Sequence, residues 1–594
     1  MKFEPQLALT AMALSIAMLV PTTVAHAKDS RGEYGSADTN TPIKHVIVII
    51  GENHTFDNLY GGYKPRHGET VSNLLSKGII NADGTPGPNF SSSAQQHASS
   101  LNLYSIDPQL TGAYPVLPQP QTTYATGVPP GVADARFPNN LPNGPFQITK
   151  YVSYAAHTGD PMHRFFQMWQ QSDKGKMDLF PWVDLTVGIG PQNSPPAPMP
   201  GYTFQGGEAM GFYNMSTGDA PSFKALADDF TISDNYHQSI MGGTGANFIS
   251  IATGDVGFHN KDGMPDIPPI NQIENPNPQP STNNFYTQDG YGGGSYVNCS
   301  DPAQPGVASI VGYINTLSGK AFNHGNCAPN TYYLVNNYGL GYTASGAVKP
   351  LGANSFTLPP QTIPTIAEAL SAKGISWKWY SGGRNDGITP TNEYCGICDP
   401  LTGFKAVMTS SLKDNLQDVT QFYNDVTSDS TLPAVSFIRP FESKAGHPAN
   451  ATMPDFENFV MDIVNRVKSD KKAWGGTAII VTTDEGGGYY DSGYIQPVDF
   501  FGDGTRIPLV VVSPFAKKGH VDHVYQDHAS ILKFIEKNWN LKPLSDRSRD
   551  NLPNPVAASD NPYVPLNRPA VGDLTSMFDF EHSRMENERE DSQE

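Results

Sequence analysis

The chain has 594 residues, with 38 Lys and Arg against 57 Asp and Glu, a formal net charge of −19. That balance excludes nucleic acid as an expected partner and disfavours electrostatic docking on an anionic membrane. With 57 Gly and 51 Pro, much of the chain must lie in turns and ordered loops.

Residues 1–27 read as a signal peptide. Lys2 gives a positive start, Leu7 to Val20 an apolar run, and Ala25-His26-Ala27 a cleavage site. The run is too short for a good membrane span, and no other long apolar run follows. The expectation is a periplasmic or secreted protein with no integral membrane segment in its mature form. Residues 28–42 read as a linker, 43–580 as one catalytic domain, and 581–594 as an acidic disordered tail.

The first element is His45 to Ile50, five β-branched apolar residues in a row after His45. Such a run predicts a strand buried on both faces, as in a parallel sheet. It ends abruptly in Gly51, Glu52 and Asn53, at the strand end where open α/β sheets bind ligands. A carboxylate and an amide there are hard oxygen donors suited to a divalent cation. The alternative is a polar turn in which Asn53 or Asp57 caps the next helix.

After a Pro-, Asn- and Gly-rich excursion over 82–145, Asp160-Pro161-Met162-His163 leads into a helix predicted over 164–171, with His163 in its first turn. A capping or surface histidine is the alternative. A helix over 222–230 and a short strand over 231–235 precede Gly242-Gly243-Thr244-Gly245 and a helical run over 248–253. Glycines flanking a hydroxyl at a helix start allow close approach of an anion, which the N–H groups and the helix dipole favour. A Thr N-cap with nothing bound is the other reading.

Residues 257–345 have little periodicity and two cysteines, and read as an irregular cap inserted over the site. Four cysteines in an exported chain suggest two disulfides. Cys299–Cys327 and Cys395–Cys398 are favoured among three possible pairings. No thioredoxin-like context surrounds Cys395-Gly-Ile-Cys398, so a redox role is not expected, and zinc would need further ligands that the neighbouring sequence does not offer.

From Thr362 the α/β rhythm returns. Helices are predicted over 365–373, 412–426 and 531–539, and strands over 376–380, 434–438, 478–482 and 508–512. Phe456, Phe459, Val460, Ile463, Val464 and Val467 share one helix face. The alternation predicts a mostly parallel sheet between two helical layers. The strand over 478–482 runs into Thr483-Asp484-Glu485-Gly486, repeating the pattern of the first strand. Adjacent carboxylates stay ionised only with a compensating cation or donors. Glu52, Asn53, Asp484 and Glu485 thus make a shell for one divalent metal, with His163 and His447 as donors to an anionic substrate and Thr244 as a metal-activated nucleophile.

Taken together, these segments resemble the bacterial phosphoesterase family of secreted phospholipases C and related acid phosphatases. The resemblance rests on Lys44-His45-Val46…Glu52-Asn53…Phe56-Asp57, Asp160-Pro161-x-His163, Gly175-Lys176-Met177-Asp178, Gly242-Gly243-Thr244 and His447-Pro448. It continues through Thr483-Asp484-Glu485-Gly486-Gly487-x-Tyr489-x-Asp491, Arg506-Ile507-Pro508, Asp550-Asn551-Leu552-Pro553 and Gly572-Asp573-Leu574. It implies an alkaline-phosphatase-like three-layer α/β sandwich. It also implies Glu52, Asn53, Thr244, Asp484 and Glu485 around one divalent metal (Ca, Mg, Mn or Fe), Thr244 as nucleophile, and His163 and His447 holding the phosphoryl group.

Three departures stand out. Gly486 follows the Asp-Glu pair where many relatives have His or Asn, and Ser492 follows Asp491 where many have His, so neither position is given a function. Past Trp539 the C-terminal β-domains of larger phospholipases C are not expected. The expectation is therefore a phosphomonoesterase of the acid-phosphatase branch, acting through a phospho-threonine on a small phosphate ester. The alternatives are a phospholipase C acting on phospholipid head groups and a non-catalytic exported binding protein. Oligomeric state is not legible in the sequence.

Overall fold

A computed structural model describes residues 38–66, 68–99, 102–121, 133–186, 206–278, 293–317 and 326–581. The signal peptide, most of the linker and the tail past 581 lie outside the described residues.

The chain builds an eight-stranded sheet. Its strands in chain order are β1 (His45–Gly51), β2 (Thr231–Ser233), β3 (Trp377–Ser381), β4 (Leu416–Asp418), β5 (Val435–Arg439), β6 (Thr477–Thr483), β7 (Leu509–Val512) and β8 (Val521–Asp522). The spatial order is β4-β3-β5-β1-β6-β7-β2-β8. Only β7, among these strands, runs against its neighbours β6 and β2. The rest pair in parallel.

Burial on both faces explains the uninterrupted apolar runs. Ile47 and Ile49 of β1 and Ile479 and Val481 of β6 pack into one core, with the apolar stripes of α3 (Pro221–Asp229) and α7 (Met453–Ser469). Val46, Val48, Ile50, Ala478 and Ile480 face a second core, closed by α4 (Thr244–Thr253), α5 (Ile366–Ala372) and α8 (Ala529–Trp539). The layers are helix, sheet, helix, as expected. On α7 the six apolar residues on one face are all buried, and each such side chain stabilises the fold by roughly 1.5–3 kcal/mol relative to an exposed one. The end of β1 passes tightly under this helix: a Cβ on Gly51 would lie 2.3 Å from the Phe456 ring.

Two predicted elements change. The segment 412–426 is not one helix. Leu416–Asp418 becomes the sheet-edge strand β4, paired with Trp379–Ser381, and α6 (Val419–Asp425) begins only where the Asp418 carboxylate accepts from Thr420 N at 2.9 Å. His163 lies before its helix, α2 (Phe165–Ser172), whose N-cap is Arg164. Both favoured disulfides, Cys299–Cys327 and Cys395–Cys398, are present. Within 257–345, the described residues include short strand pairs and the helix Val307–Ile314. No helix among the described residues is long and apolar enough to cross a membrane.

Candidate active site

Register assembles the centre. β1 and β6 are adjacent and parallel, with Gly51 opposite Thr483. The residues that follow, Glu52-Asn53 and Asp484-Glu485, therefore leave the same sheet edge side by side. Neighbouring strands lie only about 4.8 Å apart, so the four side chains share one pocket floor. All four are almost wholly buried.

Asn53 turns the chain with φ +64, a left-handed conformation that Asn tolerates better than most residues. The turn brings its N–H to Asp484 Oδ1 at 3.4 Å, and that oxygen also accepts from Glu485 N at 2.7 Å. The Asn53 amide donates through Nδ2 to Asp160 Oδ1 at 3.1 Å, which turns its carbonyl the other way. Two buried oxygens, Asn53 Oδ1 and Asp484 Oδ2, then have no hydrogen-bond donor of ordinary geometry. Burial first, and then the charge of Glu52, push the Asp484 carboxyl up to about 8.

Thr244 reaches the floor from the second helical layer. It is the first residue of α4, four residues earlier than the sequence suggested, and Gly243 rather than Thr244 is the N-cap. Its hydroxyl is thus not spent on capping and donates to Glu485 Oε1 at 3.4 Å. The flanking glycines have a purpose the sequence reading did not give them. A Cβ on Gly242 would lie 1.8 Å from Val335 O, and one on Gly243 would lie 2.7 Å from Asn337 Oδ1. They admit the segment 335–337, whose Asn337 accepts from Gly245 N at 2.7 Å and whose Asn336 accepts from Phe165 N at 2.8 Å. The Cys299–Cys327 region therefore leads directly into chain that holds both the Thr244 helix and the His163 helix.

His163 places Nδ1 at 2.7 Å from Pro161 O and Nε2 at 3.7 Å from Glu485 Oε1. A proton on Nδ1 donated to that carbonyl leaves Nε2 as the atom directed at the acids. His447 approaches the other oxygen of the same acid, Nε2 at 3.6 Å from Asp160 Oδ2, with Nδ1 accepting from Ala449 N at 3.3 Å. Every residue predicted from sequence is therefore in one place: Glu52, Asn53, His163, Thr244, His447, Asp484 and Glu485.

Two central residues escaped the sequence reading. Asp160 joins the Asn53 amide to both histidines, and its position within Asp160-Pro161-x-His163 was the available signal. Arg439 is the last residue of β5 and wholly buried, with Nε donating to Glu52 Oε1 at 3.2 Å and Nη2 also on that oxygen. The rule that strand ends carry ligands pointed to it, since β5 lies directly beside β1. Behind the Asp160 loop, Asp184 accepts from Met162 N at 2.8 Å and Glu208 from Gly159 N at 3.4 Å. Asp491 and Ser492, left without a function above, lie in a buried knot with Arg506 and Asp57 that has the character of a structural ion network.

Three buried acids thus converge beside a hydroxyl in the first turn of α4, a set of oxygen donors of the kind that suits a divalent cation. The chain belongs to the Phosphoesterase family, whose model matches residues 43–542. It is similar to the hemolytic phospholipase C of Pseudomonas aeruginosa, 24% identical over 420 residues, covering 63% of this chain and 43% of that one. It is 27% identical over 300 residues to a non-hemolytic phospholipase C of Burkholderia pseudomallei, covering 42% and 40%. A phosphate-repressible acid phosphatase of Penicillium chrysogenum is 26% identical over 211 residues, 34% and 48% of the two chains. The match thus spans less than half the length of each of these relatives. A Vibrio parahaemolyticus structure from the alkaline phosphatase superfamily aligns over 53% of this chain and 59% of its own, at 11% identity and a TM-score of 0.24, a likeness too slight to decide anything.

Proposed function

We propose that the protein is an exported, metal-dependent phosphoesterase that hydrolyses small phosphate monoesters through a phospho-threonine at Thr244. The observation that carries this reading is the convergence of four oxygen-donor residues and the Thr244 hydroxyl, held on Glu485 Oε1, at one sheet edge, with two buried oxygens lacking a donor of ordinary geometry. The residues fit a divalent cation. Glu52, Asn53, Asp484, Glu485 and Thr244 would hold it, and it would supply charge to polarise the phosphoryl oxygens and lower the hydroxyl pKa.

The chain's own groups do the rest. The hydrogen bond to Glu485 Oε1 directs the Thr244 proton towards a carboxylate, which would accept it as the oxygen attacks. His163, fixed by its Nδ1 contact, keeps Nε2 available to the phosphoryl group and the leaving oxygen. Asp160, approached by His447, keeps the Asn53 amide oriented. The near-complete burial of the floor suits a small phosphate better than an extended polymer.

A second reading, a phospholipase C releasing a phosphorylated head group, is favoured by the names of the Pseudomonas and Burkholderia relatives. Hydrolysis of a chromogenic phosphate monoester beside the matching phosphorylcholine diester, by metal-loaded enzyme, separates the two. Preference for the monoester supports the first reading, and preference for the diester replaces it with the second.

A further inference from the structure

The Cys395–Cys398 disulfide lies against the floor of the site. Cys398 Sγ is 3.2 Å from Glu52 Oε1. One donor atom each from Glu52, Cys395 and Cys398 fall within 4.8 Å of one another. The third ligand missing from the local sequence is thus delivered by β1, 343 positions upstream of Cys395 (395 minus 52). As a disulfide the two sulfurs are poor ligands. As thiolates they are the preferred donors for zinc and cadmium, and C-x2-C is a common spacing in such sites.

We infer that reduction of Cys395–Cys398 opens a site for one thiophilic divalent cation, Zn2+ or Cd2+, formed by the two cysteine sulfurs and the Glu52 carboxylate. Filling it withdraws Glu52 from the phosphoesterase floor. The second statement rests on the role given to Glu52 above, and the first does not.

The chemistry balances. A dithiol reductant is oxidised to its disulfide as the Cys395–Cys398 bond breaks, passing two electrons and two protons to the cysteines. The two thiol protons go to solvent when the cation binds. Cys395 is the more accessible of the two, 9% exposed and next to the exposed Gly396, while Cys398 is fully buried. Geometry permits the change. Two sulfurs about 2.3 Å from a tetrahedral zinc stand roughly 3.8 Å apart, within reach of α-carbons 5.2 Å apart. Arg439 need not be stranded when Glu52 turns, since it also donates to Pro440 O at 2.7 Å and to Glu442 Oε2 at 2.8 Å. Three protein ligands leave a fourth position for water, and the site forms or dissolves with the redox state of the solution.

The test is a Cd2+ titration of the full chain, oxidised and after reduction by a phosphine that is then removed. Thiolate-to-metal absorption is read in the near ultraviolet, and activity on a chromogenic phosphate ester is read in parallel. Reduced wild type should take up one Cd2+ per chain with this absorption, and oxidised protein should show none. Cys395→Ser/Cys398→Ser should abolish the absorption despite the reduced Cys299 and Cys327. Glu52→Gln should keep the absorption but bind at least about tenfold more weakly. No absorption in reduced wild type, absorption that survives the double serine variant, or unchanged affinity in Glu52→Gln would each overturn the site. If the double variant does not fold, the redox comparison and Glu52→Gln still decide. One equivalent of Cd2+ should lower the activity of reduced wild type at least tenfold, reversibly on chelation and reoxidation. Full Cd2+ uptake with unchanged activity overturns the withdrawal of Glu52 while leaving the cation site standing.

Discussion

Asp484→Asn separates the two things this carboxylate does, because they have opposite signs. Asp484 Oδ1 accepts the Glu485 and Asn53 N–H groups, and an Asn oxygen can keep both contacts. Oδ2 has no hydrogen-bond donor of ordinary geometry, so an NH2 there displaces at most the loose approach of the Thr244 hydroxyl. What changes is charge. The Asp484 carboxyl is raised from 3.8 to about 8 by burial and by Glu52. Below the unfolded value, folded and unfolded protein both hold the proton and there is no penalty. As pH rises through this window the folded, metal-free state keeps a proton that the unfolded state has lost, so stability falls with pH. A shift of this size is worth on the order of a few kcal/mol. For a chain of several hundred residues the unfolding entropy is about 1 kcal/mol/K, so metal-free Asp484→Asn should melt a few degrees above metal-free wild type at pH 8. The two should converge near pH 4. Added divalent metal should then raise the wild-type melting temperature and leave the variant nearly unmoved, since a charged ligand is gone. Scanning calorimetry of chelated and metal-loaded protein at both pH values reads all four states. A metal-free variant no more stable than wild type at pH 8 would refute the idea that Asp484 sits in a charge-frustrated site awaiting a cation.

Asp160→Asn keeps the shape of the Asn53–histidine junction but removes its charge. Replacing charge-assisted contacts with neutral ones costs about 1–2 kcal/mol, so kcat/KM should fall roughly 5–30-fold with little change in melting temperature. Unchanged kcat/KM would show that Asp160 does not position the site. Glu208, pushed up to about 8 chiefly by burial, is a second acid whose charge the fold disfavours. It costs stability as pH rises from about 4.5 towards 8, and Glu208→Gln, which retains an acceptor for Gly159 N, should flatten that part of the pH–stability profile. A variant whose profile parallels wild type between those values contradicts the assignment.

The sheet and the floor of the site were legible because both come from the same local signal. A doubly buried strand must be apolar throughout, so the change to Glu52-Asn53 and to Asp484-Glu485 marks the strand end as well as the chemistry. The position of Thr244 was legible, but the reason for its glycines was not. Gly242 is required by the Val335 carbonyl and Gly243 by the Asn337 side chain, about ninety positions away, and no local pattern encodes that approach. β4 was invisible for a related reason. Leu416-Gln417-Asp418 carries no strand pattern of its own and is extended because β3 offers it a partner. Arg439 reads as an ordinary basic residue until β5 is placed beside β1, when it becomes the counter-charge of Glu52. The Cys395–Cys398 pair looked isolated for want of a third ligand that only the folded sheet supplies.

The central claim is a covalent step at Thr244, and trapping that step tests it most directly. Metal-loaded wild type, Thr244→Ala and Thr244→Ser would be mixed with a chromogenic phosphate monoester, quenched in acid during turnover, and digested for peptide mass analysis. The account predicts a phosphoryl group on the peptide carrying Thr244, a serine variant that still turns over, and an alanine variant slowed about 10^3-fold or more while still binding metal. An alanine variant that hydrolyses the ester at a near-wild-type rate would contradict it.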